Sequence, residues 1–119
     1  MSSTAAPPLA ASQLAATPEP PYWAVIFTST RTEVDQGYEA MAEAMARMAA
    51  EQPGYLGHES AREAVGLTVS YWRDLQAIAA WKARVEHLAA QRLGRERWYA
   101  AYRVRIARVE RDYGFEGQP

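Results

Sequence analysis

Between Tyr22 and Arg31 the chain reads YWAVIFTSTR, a run dominated by aromatic and β-branched residues and bounded by Pro20–Pro21 before and by Thr32–Gly37 after. Such a run is a strand by composition. Its two alternating faces are both apolar, with Tyr22, Ala24 and Ile26 on one and Trp23, Val25 and Phe27 on the other. A strand in an antiparallel sheet with one solvated face alternates apolar and polar residues, so this one has to be covered on both sides. Whatever packs on the first face, a second layer is needed for the other.

The segments that follow supply the first layer. Asp35 is placed to cap a helix in which Tyr38, Met41, Ala42, Met45, Met48 and Ala49 recur at the 3–4 spacing of an apolar face. Pro53–Gly54 stops it, and Tyr55–Glu63 reads as a second strand. Ala64–Val65–Gly66 reads as a hairpin turn whose glycine takes positive φ, leading into a third strand, Leu67–Trp72. A second amphipathic helix starts after Asp74, with a bend expected near Lys82–Arg84 and an end near Arg97. Tyr102–Arg111 closes the chain as a strand in which arginines alternate with Tyr102, Val104 and Ile106, with a bulge expected between Ile106 and Val109. The order β-α-β-β-α-β is the ferredoxin-like split βαβ, an α+β fold with both helices on one face of an antiparallel sheet. A second copy of the same sheet, packed face to face, is the simplest cover for the bare face, so a two-fold homodimer is expected.

At 119 residues there is room for one core. The expected divisions are an Ala/Pro-rich disordered tail over residues 1–21, a folded domain over 22–113 and a short tail over 114–119. The first twenty-one residues hold five of the seven prolines and one charged side chain, Glu19, too little apolar surface to offset the entropy of ordering. They lack the basic start and unbroken apolar run of a signal peptide, and no window approaches the length of a membrane span. A formal net charge of −1 leaves no electrostatic footprint for nucleic acid or an anionic membrane. The absence of cysteine excludes disulfides and thiolate chemistry and fits a reducing compartment, so the cytoplasm is the expected location.

Chemistry has few places to be. There are two histidines, and the stretch SYWRDLQAIAAWKARVEHLAAQ brings one of them near two tryptophans. His87 is the candidate base, because imidazole alone changes charge near neutral pH, and it adjoins the apolar stripe of Trp81, Val85 and Leu88. Trp72 and Trp81 offer flat apolar walls to an aromatic ligand, or else simply fill the core. Tyr71 and Gln91 are candidate polar orienters. Of the many arginines, Arg95 is the candidate for holding an anion, with exposed ion pairing as the ordinary alternative. His58 stands beside Glu59 in the second strand, too far in sequence from His87 for a recognisable metal spacing. No glycine-rich phosphate loop, nucleophile elbow or dinucleotide fingerprint is present.

From Tyr22 to Tyr113 the chain resembles the antibiotic biosynthesis monooxygenase domains, dimeric α+β barrels. The likeness rests on YWAVIFTSTR, QPGYLG at Gln52–Gly57, SYWRDLQAIAAWK and EHLAAQRLGRERWY. Characterised members of that family include enzymes that oxygenate polycyclic phenols or quinols with molecular oxygen and neither metal nor flavin. The resemblance implies the same here: no cofactor, a small aromatic substrate with molecular oxygen as co-substrate, His87 and Trp81 as catalytic residues, and Trp72, Tyr71, Gln91 and Arg95 around the substrate. A haem-degrading branch uses a first-strand asparagine, a tryptophan on the helix after the third strand and a histidine ten residues on. Here Trp81 matches the tryptophan, but Gln91 stands at the histidine and Thr28 or Ser29 at the asparagine, which disfavours haem chemistry. The alternative from a different class is a non-catalytic or stress-response barrel that holds a small ligand in the same cleft.

Overall fold

The computed structural model describes residues 14–88, 92 and 94–117, with the side chains of 94 and 95 outside the description. The elements run β1 (Tyr22–Arg31), α1 (Tyr38–Ala50), β2 (Tyr55–Arg62), β3 (Gly66–Trp72), α2 (Leu75–Glu86), a π-helical turn (Gly94–Trp98) and β4 (Tyr99–Val109). The four strands form one sheet in the order β2-β3-β1-β4, antiparallel throughout. This is the ferredoxin-like α+β architecture, with β1 central as its two apolar faces require.

Residues paired across antiparallel strands share a face. Trp23 pairs with Trp72 and Arg108, Val25 with Ser70 and Ile106, and Ser29 with Gly66 and Tyr102, so these lie on the side where the helices pack. Ala24 pairs with Tyr71 and Ala107, and Ile26 with Val69 and Arg105, on the far side. The core sits on the helix side, where Ala49, Trp72, Ala77 and Ile78 are buried and Trp23, Val25, Tyr55 and Trp81 pack against them.

Several local features differ from the sequence-based expectation, each for a physical reason. Helix α1 is capped by Gly37 at φ 84°, while the Asp35 carboxylate pairs with Arg31 at 3.1 Å instead of capping. The hairpin turn closes earlier, with the Glu63 N–H donating to the Val65 carbonyl, and Gly66 already pairs as a strand residue outside the left-handed region. Helix α2 ends at Glu86 with His87 as its C-cap, short of the expected end near Arg97. Gly94 begins a π-helical turn. The register of β4 is regular from Ala101 to Val109, and its irregularity lies at the other end, opposite Thr30 and Arg31.

Residues 14–17 lie against the far face of the sheet. The Ala15 N–H donates to Glu59 Oε2 at 2.9 Å, and Thr17 Oγ1 donates to the Tyr22 hydroxyl at 3.0 Å. Tyr22 in turn donates to the Asp112 carboxylate, so segments from both ends of the chain meet over β1. Among the described residues no helix is long and apolar enough to cross a membrane.

Candidate functional site

Strand β3 ends by turning Trp72 onto the helix side, where it is wholly buried and its indole N–H donates to Ser70 Oγ at 2.8 Å. Asp74 then caps α2, its Oδ1 accepting from the Ala77 N–H at 2.8 Å. One turn into the helix, Ala77 and Ile78 are buried, and Trp81 follows at the spacing that returns to the same face. Its ring stacks on Trp72 with centroids 6.1 Å apart and planes 24° apart, and Tyr55 meets Trp72 edge-on at 5.5 Å. The two tryptophans therefore cover each other. Trp81 keeps an outer face, and Trp72 backs it from within the core.

The other residues expected at the site are spread out. Tyr71 precedes Trp72 and so faces the far side, where its hydroxyl donates to Glu59 Oε1 at 2.7 Å and its ring meets Tyr22 edge-on at 5.8 Å. Burial, and then the Glu59 carboxylate, hold the Tyr71 hydroxyl protonated well above the ordinary tyrosine range. His87 is exposed at the end of α2. It is six residues beyond Trp81, about a third of a turn round the helix from that part-buried tryptophan. Gln91 lies outside the described residues, and so does the side chain of Arg95, whose backbone belongs to the π-helical turn. Of the six positions, then, the described structure brings together Trp72 and Trp81.

A second aromatic group on the helix side was not anticipated from the sequence. Phe27 stacks on Tyr102 at 5.3 Å and meets Tyr99 edge-on at 5.4 Å, while Tyr38 meets Tyr99 and Trp98 edge-on at 5.9 and 6.1 Å. Trp98 is buried, and its indole N–H donates to the Gln36 carbonyl at 3.0 Å. Arg31 stands over the Tyr38 ring at 3.4 Å and also holds the Trp98 and Val34 carbonyls. Burial pushes the Tyr99 hydroxyl up, the neighbouring Tyr38 hydroxyl adds to this, and Arg62 and Arg31 oppose both. Beside this group Tyr102, Val104 and Ile106 of edge strand β4 are 37%, 48% and 49% exposed on the helix side. The helices thus leave an apolar strip of β1 and β4 within reach of a flat ligand. The alternation of arginine with Tyr102, Val104 and Ile106 signalled which residues of β4 share a face. It could not say which layer that face belonged to.

Residues 21–93 match the family model described as antibiotic biosynthesis monooxygenase. The uncharacterized protein YqjZ of Bacillus subtilis (strain 168) is 52% identical over 105 residues, covering 87% of this chain and 92% of its own. Among solved structures, the fold is similar to that of SnoaB, a cofactor-independent oxygenase from Streptomyces nogalater. That match has a TM-score of 0.62 and 18% identity over 72% of this chain and 90% of SnoaB. It is also similar to PA3566 from Pseudomonas aeruginosa, with a TM-score of 0.60 and 18% identity over 80% of this chain and 98% of that one. At such identities the structural likenesses speak for the fold alone. The family match takes in more than half the chain, from the start of β1 through α2, and on that ground the chain belongs to the antibiotic biosynthesis monooxygenase family.

Proposed function

We propose that the protein is a homodimeric, cofactor-independent monooxygenase that oxidises an aromatic phenol or quinol with molecular oxygen. Family membership supports an oxygenase of this kind, and SnoaB, which shares the fold, is described as a cofactor-independent oxygenase. The observation that carries the reading is the outward face of Trp81, stacked from behind by a buried Trp72 and continuous in layer with the exposed apolar strip of β4. A flat ring laid there is oriented by apolar contact, and a neighbouring base that removes the phenolic proton leaves a phenolate able to give an electron to oxygen. His87 takes the role of base, Trp81 and Trp72 form the stacking wall, and Gln91 and Arg95 orient the substrate oxygen. Tyr71, which faces the other layer, has no part in this proposal.

Oxygen uptake by metal-stripped protein, measured with dihydroxynaphthalenes, anthrones and menadiol, tests this directly. At least one of them is expected to support turnover, and His87→Ala to lower it by about a hundredfold or more. Equal turnover in the variant removes His87 from the site. One observation favours a second reading, a barrel that binds a small aromatic ligand without turning it over. His87 is exposed at a helix end, where a base works in water and not in a dry pocket. No uptake with any of these compounds, together with saturable binding of them, decides for that reading.

A further inference from the structure

Arg62 ends β2 and pairs across the hairpin with Gly66, and Gly66 pairs with Ser29 of β1. All three are on the helix side of the sheet. The guanidinium reaches over Gly66, and its Nη2 donates to the hydroxyl of Ser29, which is buried. A Cβ at position 66 would fall on the guanidinium itself. Gly66 is not in the left-handed region, so the arginine needs this glycine and the turn does not.

Among the described residues, this seat supplies its cation with no anion. Among the described residues the ion-paired cations are Arg31, Arg73, Lys82 and Arg108, and Arg62 Nη1 is buried without a hydrogen-bond partner. The Tyr38 ring centroid is 6.0 Å from Arg62 Cζ, at the outer limit of a cation–π contact, and Arg31 already stands over that ring. An N–H of a charged group withdrawn from water without a partner is unfavourable, and a planar guanidinium fork matches a carboxylate. The aromatic group of Phe27, Tyr99 and Tyr102 is on the same layer, and Tyr102 is part-exposed.

We propose that Arg62 is an anion receptor for a small aromatic carboxylic acid. The carboxylate pairs with the partnerless Nη1, which the side chain turns outward from its buried position to meet it, and the ring lies against the Phe27–Tyr102 stack. This rests on reading the helix side as the ligand face and is independent of turnover. If the same ligand is the substrate, it is a phenol or quinol that also carries a carboxyl group.

Isothermal titration of the full chain with 1-naphthoate, neutral 1-naphthamide and inorganic phosphate tests this. Naphthoate is expected to bind at least about tenfold tighter than the amide, and Arg62→Gln to abolish that preference. Gly66→Ala keeps the charge but displaces the guanidinium, and the same loss is expected. Arg105→Gln, on the far face, is expected to change nothing. Circular dichroism checks each fold. If Arg62→Gln does not fold, Arg62→Lys takes its place, since it keeps the charge and loses the planar fork. Four outcomes overturn the proposal: no naphthoate binding, equal binding of acid and amide, unchanged preference in the Arg62 and Gly66 variants, or phosphate binding as tight as naphthoate. Naphthoate bound at Arg62 with no oxygen uptake from any phenol would leave this site standing and remove the oxygenase. Oxygen uptake without any preference for the acid would do the reverse.

Discussion

Tyr71 and Trp72 are consecutive in sequence and serve different layers, and their variants should report different things. Trp72→Ala removes a wholly buried indole from beneath Trp81 and is expected to cost about 3–5 kcal/mol in urea unfolding. A cost below about 1 kcal/mol would mean that the stack is not core. Tyr71 reports through pH. Its hydroxyl titrates above the ordinary value of 10.0 because of burial and the Glu59 carboxylate. A group whose pKa is raised on folding stabilises fully below its unfolded pKa and loses that contribution as the pH climbs towards the folded one. The urea midpoint is therefore expected to fall above about pH 10, and to fall less steeply in Tyr71→Phe. Identical slopes in the two proteins would show that Tyr71 is not coupled to folding.

At the scale of elements, two helix starts that look alike in sequence are built differently. Asp74 caps α2 through the Ala77 N–H, whereas Asp35 gives its carboxylate to Arg31 and leaves the start of α1 to a left-handed glycine. Asp74→Ala is expected to destabilise the protein by about 1 kcal/mol. Asp35→Ala should cost less, because its ion pair is exposed and such pairs contribute about 0–1 kcal/mol. Denaturant midpoints for the two variants compare them directly, and the reverse order would contradict the capping assigned here. The same contrast holds for glycines: Gly37 is where the backbone turns left-handed, while Gly66 is where a side chain lies down.

Across the whole molecule, the far face of the sheet is only partly covered. Segments from both chain ends meet over Tyr22 and Glu59, yet Leu67 is 46% exposed, and Ile26 and Val69 beside it are only part-buried. A second copy packed on that surface would bury this apolar middle and set Arg103 and Arg105 near a partner. Static light scattering at micromolar concentration is expected to give the mass of two chains, and the mass of one would remove the homodimer from the proposed function.

The sequence by itself determined what is local. The period of two in YWAVIFTSTR marked a strand and both its faces, the apolar 3–4 spacings marked two helices, and Pro53–Gly54 marked a stop. The element order, and with it the α+β class, follows from these. Tertiary structure decided what lies across strands, because register brings together residues with no local relation. Arg62, Gly66 and Ser29 form one row only when β2, β3 and β1 are paired, and no spacing along the chain encodes that row. Likewise, the stacking of Trp72 on Trp81 depends on how α2 folds back over β3. From the sequence each tryptophan reads first as a filler and second as a wall, and burial is the property of neighbours that separates the two.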